Sequence, residues 1–314
     1  MNENAFISIC IPAYKRIADL KRLLDSIAIQ SFKSFEVIIT DDSPDDSVKE
    51  ICVNYKHVFK LIYYKNSIPV GTPENWNEAI RKANGEWIKL MHDDDYFASS
   101  ESLQSFVTAI HTHPNTSLFY SAFAYVDDTH GIHKTVRCEW YNRFLLGTSY
   151  YYLLRRNYFG NPSCIIFKKN IPYLYDSRLK FIVDYAYYLT LLSNHITYQY
   201  IPHTLIHVGL NDQQVTHYTF KNKQIQLYEN HVLLAQLGEK ALKNIIVFDY
   251  FWRLYRNFNV RSKEDITIYY NDTISPVLIK MIEAQKKIPS NILRWGIISK
   301  FFMIIYYCRS RWIK

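Results

Sequence analysis

The chain has 314 residues, 48% hydrophobic and 21% charged, with five cysteines and a net charge of +8. That composition excludes a disordered chain, and an odd cysteine number without a Cys-x-x-Cys pair excludes a disulfide framework or zinc ribbon and fits a reducing compartment. The charge is lopsided: residues 1–214 hold 21 Lys+Arg against 22 Asp+Glu, whereas 215–314 hold 16 against 7, which suits an anionic partner, either nucleic acid or a membrane surface.

No basic segment followed by an apolar stretch opens the sequence, and no uncharged apolar run reaches about 18 residues. Neither a signal peptide nor a spanning helix is therefore expected. Phe6–Ile11 reads as a central strand stopped by Pro12. Leu20, Leu23, Leu24, Ile27 and Ala28 then fall on one face of an amphipathic helix. Phe35–Thr40 reads as a second buried strand, Ser47–Tyr55 as a helix and Lys60–Tyr64 as a third strand. The next helix has Thr72 as its expected N-cap, Pro73 at its first position and Gly85 as its stop. A buried strand, Trp87–Met91, follows. Short βα units in this order predict a parallel sheet covered on both faces, with ligands outside the carboxyl ends of its strands. Tyr14, Asp42 and Asp93–Asp95 would all lie at that edge.

The strand at 87–91 runs directly into three consecutive carboxylates, Asp93, Asp94 and Asp95. Such a cluster either binds a hard divalent cation, Mg²⁺ or Mn²⁺, or forms a solvated acidic turn. Further along, a helix is expected around Leu103–Ile110 and strands at Ser117–Tyr125, Ser163–Phe167 and Ile196–Ile201. Asp184–Leu192 reads as a helix opened by Asp184. Residues 126–160 show no assignable pattern, and His207–Thr216 reads as a polar loop. From 217 onward the pattern is helical and basic. The segment Asn291–Lys314 is apolar, aromatic and free of acids. It reads either as a helix lying in a membrane interface or as a terminal helix packed on the protein with snorkelling Arg and Lys stems.

Taken together, Ile11-Pro12-Ala13-Tyr14 with Arg16, Val37-Ile38-Ile39-Thr40-Asp41-Asp42-Ser43, the spaced Asn66, Gly71, Asn75, Asn77 and Ala83-Asn84-Gly85-Glu86, His92-Asp93-Asp94-Asp95 and the later Asp184 resemble family 2 inverting glycosyltransferases over roughly residues 6–215. The resemblance implies a GT-A fold: a Rossmann-like, mostly parallel sheet flanked by helices, here with a helical, basic C-terminal extension. It divides the chain into a catalytic domain at 1–215 and a helical region at 216–314, with a candidate interface helix at 291–314.

The resemblance also implies roles. Pro12, Ala13, Tyr14, Arg16, Asp42, Gly71, Asn75 and Asp93 would bind the nucleotide, with Asp42 accepting from the base. The family's Asp-x-Asp-Asp is His92-Asp93-Asp94-Asp95 here, so the first acid is a histidine and Asp94 is the expected metal ligand, for Mg²⁺ or Mn²⁺. Asp95, Asn161, Pro162 and Ser163 would face the donor sugar or acceptor, and His207, with Asp212, Gln213 and Gln214, a loop over the diphosphate. Asp184 would be the general base, with Val183 where the family often has Glu.

The activity implied is transfer of a sugar from a nucleotide-diphosphate donor, with a UDP-sugar favoured, to a glycan or lipid-linked glycan precursor. The setting would be the cytoplasm, at the inner face of the cytoplasmic membrane. A sugar-phosphate nucleotidyltransferase is the alternative enzyme. A nucleic-acid-binding protein is disfavoured because no RRM, helix-turn-helix or zinc spacing accompanies the basic residues. A dinucleotide oxidoreductase is disfavoured because no Gly-x-Gly-x-x-Gly follows the first strand.

Overall fold

The structure, a computed structural model, describes residues 5–127, 131–210 and 221–310. It divides into two compact units: Met1–Phe144, Tyr158–Ser177 and Leu191–Gln214 form one, and Leu145–Asn157, Arg178–Thr190 and Val215–Lys314 form the other.

The first unit is built on a nine-stranded sheet. Strands β1 (Ile7–Ala13), β2 (Phe35–Asp41), β3 (Leu61–Lys65) and β4 (Trp87–Leu90) alternate with helices α1 (Ile17–Ala28), α2 (Ser47–Val53) and α3 (Glu74–Lys82). These four strands are mutually parallel in the order β3-β2-β1-β4. β1 and β2 are buried along their whole lengths, as expected of strands covered on both faces. β1 runs through Pro12 to Ala13, pairing Pro12 with Thr40.

Beyond β4 the sheet becomes mixed. β5 (Tyr96–Phe97) is followed by α4 (Ser102–Thr112), β6 (Leu118–Asp127), β7 (Gly131–Val136), α5 (Trp140–Thr148), β8 (Ile165–Lys168), α6 (Val183–Ser193) and β9 (Tyr198–Gly209). β8 lies antiparallel between β4 and β6, while β9 runs parallel to β6 and antiparallel to β5. The unpatterned stretch 126–160 holds β7, α5 and a 3₁₀ turn at Tyr150–Leu154. β7 is exposed over most of its length, which is why no alternation marks it.

Two further expectations fail in instructive ways. Thr72 does not cap α3; Pro73 holds the N-cap position without a side-chain cap, and Glu74 is the first helical residue. That turn is fixed instead from a distance, because the Val70 and Gly71 N–H groups donate to Asp42. The strand expected at 196–201 continues to Gly209, so His207 lies in β9 opposite Tyr96 and not in a polar loop. Asp212, Gln213 and Gln214 lie outside the described residues.

The second unit is helical beyond residue 222: α7 (Lys223–Leu237), α8 (Ile245–Asn257), α9 (Glu264–Thr267), α10 (Pro276–Lys286), α11 (Ser290–Leu293) and α12 (Gly296–Ser310). Phe248, Phe251, Trp252 and Tyr255 give α8 a wholly buried face. The terminal segment is not one helix. It is a single turn, α11, a break at 294–295, and then α12. No helix among the described residues is long and apolar enough to cross a membrane.

Candidate active site

Parallel pairing brings the ends of β1, β2 and β4 to one edge, and the polar side chains collect there. Asp42 follows β2, and its backbone N–H donates to the Ala13 carbonyl at 3.1 Å. Its carboxylate is buried and accepts from Asn66 Nδ2 (2.8 Å), Val70 N (3.1 Å) and Gly71 N (2.8 Å). A carboxylate has about four acceptor positions, so capacity for a further donor remains. Gly71 has φ +72°, the left-handed conformation that suits glycine. Asn75, also buried, donates to Thr40 O at 3.1 Å and accepts from Asn66 at 3.0 Å, locking α3 to the strand end. Beside this latch, the Tyr14 ring is half exposed, with the Lys15 ammonium 5.0 Å from its centroid. Neighbouring Asp41 is committed to structure: it accepts from Ser43 N, Tyr63 Oη and Lys65 Nζ.

The acidic triplet after β4 forms the second half of the edge. Arg16 Nη1 lies 2.8 Å from Asp94 Oδ2 and 3.6 Å from Asp93 Oδ1, and Tyr14 N reaches Asp93 at 3.4 Å. Burial, reinforced by Asp94, pushes the Asp93 carboxyl up to about 7, and Arg16 opposes that shift. Asp95 is almost fully buried. It accepts from Asn161 Nδ2 at 2.7 Å and from Gly209 N at 3.2 Å. Burial and the adjacent Asp94 raise its pKa, against those hydrogen bonds. Gly209 is needed here by close approach, since a Cβ at that position would stand 2.4 Å from the Asp94 carbonyl oxygen.

Asn161 is delivered by a bend at Gly160, whose φ of +79° and contacts with Cys164 and Phe123 leave no room for a side chain. Pro162 and Ser163 begin a 3₁₀ turn, and Ser163 Oγ accepts from His92 N at 2.9 Å. Behind them lies Lys89, fully buried in β4, with its ammonium on the Ser163 and Ile165 carbonyls. Phe97 and Phe106 rings flank it at 5.8 and 5.1 Å. Burial drops this lysine to about 7. Sequence reasoning places Lys89 in a buried strand and Trp76 on the buried face of a helix, and misses their place at this edge; the Trp76 ring lies 4.6 Å from the His92 ring.

His92, Asp94 and Asp95 each offer a ligand atom, all within 4.8 Å of one another. His92 Nε2 is buried and makes no hydrogen bond, and burial lowers the imidazole pKa, which favours a neutral, ligating ring. His92 Nδ1 lies 3.9 Å from Asp95 Oδ2, and an imidazole beside two buried carboxylates fits a divalent cation that accepts mixed nitrogen and oxygen donors. His207 is not part of this group; its ring packs edge-on against Tyr96 at 5.0 Å.

In the second unit, Asp184 stands in the first turn of α6. Its carboxylate accepts from Asn157 Nδ2 at 2.6 Å and from Tyr185 N at 2.8 Å. Burial pushes it up to about 7, against these hydrogen bonds. The turn before it is held by buried Glu229 of α7, whose carboxylate accepts from the N–H groups of Lys180, Phe181 and Ile182 at 2.7–3.0 Å.

Known proteins resemble this chain in sequence and in fold. The family model described as glycosyl transferase family 2 matches residues 8–171, just over half the chain. An uncharacterized glycosyltransferase of Haemophilus influenzae is 32% identical over 114 residues, which is 36% of this chain and 37% of that protein. The GalNAc(5)-diNAcBac-PP-undecaprenol beta-1,3-glucosyltransferase of Campylobacter jejuni is 30% identical over 95 residues, 30% of this chain and 31% of that one. The chain therefore matches about a third of the length of either relative. Among solved structures, S. aureus TarS 1–349 in complex with UDP-GlcNAc aligns with a TM-score of 0.65 at 16% identity, over 98% of this chain and 93% of that one. That likeness carries the GT-A fold, and the family match shows that the chain belongs to glycosyl transferase family 2.

Proposed function

We propose that the protein transfers a sugar, with inversion, from a nucleoside diphosphate-sugar to a hydroxyl of a glycan or lipid-linked glycan precursor. A uridine donor is favoured, since the TarS fold relative binds UDP-GlcNAc. The lipid-linked acceptor class follows the Campylobacter relative, whose name carries a PP-undecaprenol acceptor. The observation that carries the reading is the convergence of Tyr14, Arg16, Asp42 and the His92/Asp94/Asp95 group on one sheet edge. Five free cysteines favour a reducing, cytoplasmic setting.

In this reading Tyr14 and Asp42 receive the base, one as a ring surface and the other as an acceptor for a ring N–H. Pro12, Ala13, Gly71 and Asn75 shape the turn around it. Asp93 meets the ribose, and Arg16 the diphosphate. Asp95, Asn161, Pro162 and Ser163 form the wall toward the donor sugar and acceptor. A divalent cation, Mg²⁺ or Mn²⁺, held by Asp94 with His92 and Asp95 would supply Lewis-acid stabilisation of the departing diphosphate. Asp184 takes the proton from the acceptor hydroxyl, whose oxygen bonds to the anomeric carbon as the bond to the diphosphate breaks. A carboxyl raised to about 7 is suited to that task near neutral pH.

The test is thermal-shift titration with UDP, GDP, dTDP and CDP, each with and without Mn²⁺. A ligand that binds only the folded protein raises its melting temperature. Strong stabilisation by one nucleoside diphosphate, dependent on metal, is expected. Indifference to all four overturns the reading.

A further inference from the structure

Within the acid-free terminal segment, α12 is a two-faced helix. α12 buries Ser299, Met303 and Tyr307, spaced four residues apart. Ser299 Oγ accepts from Trp252 Nε1 at 3.0 Å, and Tyr307 Oη donates to the Lys243 carbonyl at 2.6 Å. Tyr307 also packs edge-on against Phe248, 5.3 Å away. Lys300 completes the seat with an ion pair to Asp249 at 3.1 Å. The helix is thus anchored on α8, and the opposite side is left to solvent.

That opposite side is apolar. Ile297 is 89% exposed, Phe301 61% and Ile304 43%, at positions i, i+4 and i+7; Trp295, just before the helix, is 69% exposed. Large side chains contiguous on one helix face and left in water mark a contact surface. Charge states the partner. From Lys286 to the last residue the sequence has seven bases and no acid. Among the described residues the exposed Arg294 and Arg309 side chains make no ion pair, so their charge is available at the two ends of the stripe.

We propose that this face docks the protein on an anionic lipid surface. At 15 residues α12 is about 22 Å long, short of the roughly 30 Å hydrocarbon layer, so it lies in the interface and does not span it. Ile297, Phe301 and Ile304 would enter the acyl boundary, Trp295 would sit at headgroup depth, and Arg294 and Arg309 would meet lipid phosphates. A second copy of the chain is the weaker occupant. A two-fold contact would set like faces together and bring these arginines toward one another without an acid to pair them.

The experiment is sedimentation of the full chain with vesicles of phosphatidylcholine alone or with one-third phosphatidylglycerol, at low and high salt. Binding to the anionic vesicles at least about tenfold stronger, and weakened by salt, is expected. Ile297→Asp and Phe301→Asp should each lower binding about tenfold or more with an unchanged melting temperature, because neither side chain supports the fold. Arg294→Gln with Arg309→Gln should abolish the preference for anionic lipid. Equal binding to both vesicle types, or undiminished binding by the aspartate variants, overturns the proposal. So does a solution dimer that Ile297→Asp dissolves, which would make the face a contact between copies. The readout uses no donor and no turnover, so it stands or fails apart from the proposed chemistry.

Discussion

Arg16 Nη1 sits 2.8 Å from Asp94 Oδ2 and 3.6 Å from Asp93 Oδ1, so one guanidinium neutralises two adjacent carboxylates. Without it, the burial and the Asp94 repulsion that already raise the Asp93 carboxyl would go unopposed by this charge. A divalent cation on Asp94 competes for the same oxygens. In the proposed reading, cation binding would loosen Arg16 from these acids and leave it facing the diphosphate.

Arg16→Gln separates those two roles. Removing the competing charge should leave Mn²⁺ binding as tight as in the parent or tighter, while the donor KM rises by about tenfold through loss of a charge-assisted contact. Mn²⁺ titration monitored by electron paramagnetic resonance, alongside donor kinetics, checks both arms. Weakened Mn²⁺ affinity in the variant would mean that Arg16 holds the acids in place and does not compete for them.

The donor set at the acidic turn makes a statement about metal preference. Mg²⁺ favours oxygen ligands in near-ideal octahedral geometry, whereas Mn²⁺ accepts imidazole more readily. With His92 in the set, Mn²⁺ should support faster turnover than Mg²⁺. His92→Asp should narrow or reverse that order, and Asp94→Asn should remove metal-dependent turnover. Full activity after exhaustive chelation would exclude a metal role for the group.

How much of this was open to a reader of the sequence depended on the range of the contacts. The first four strands were legible because each apolar run is local and each βα unit repeats the same order. The edge residues Tyr14, Asp42 and Asp94 followed directly, since parallel pairing puts successive strand ends side by side. His207 was misread because β9 is held over its second half by β6 and β5, 80 or more residues earlier, and not by its own pattern. Lys89 was passed over inside the run Trp87–Met91, read only as a buried strand, because nothing local marks the groups that hold its ammonium. Its burial depends on the Ser163 and Ile165 carbonyls, 74 and 76 residues away. Glu229 escaped for the same reason: the turn it serves is about 48 residues upstream.

Glu229 is open to a direct test. One buried carboxylate accepting three consecutive N–H groups at a helix start does the work of an N-cap from another helix. Glu229→Gln keeps the size but loses the charge, and one of its oxygens becomes a donor facing other donors. A loss of about 2 kcal/mol is expected. Because the turn leads into Asp184, kcat should fall more than donor affinity. Unfolding in urea and donor binding by calorimetry check the two effects. A variant with parental stability and kcat would reduce this contact to an incidental one.

Asp184 gives the sharpest pH dependence. Its carboxyl titrates at about 7 in the folded chain and near the ordinary value of about 3.9 when unfolded. The folded state thus holds this proton more tightly. The contribution of Asp184 to stability is greatest below about pH 4 and declines as pH rises to about 7, where the ionised carboxylate is carried at a cost. With Asp184 as the proposed base, catalysis should run the other way, because only the ionised form accepts a proton; kcat should rise through about pH 7 and level above it. Asp184→Asn should lower kcat by 10²-fold or more with donor binding retained. The same variant should melt higher than the parent at pH 8, with the gap closing toward pH 5, because it carries no buried charge, although only one of the two N–H donors, which meet separate oxygens in the parent, keeps its acceptor. Asparagine in place of a functional acid would then exchange activity for stability. A variant that loses donor affinity and stability together at pH 8 would identify Asp184 as a structural cap of α6 and remove it as the base.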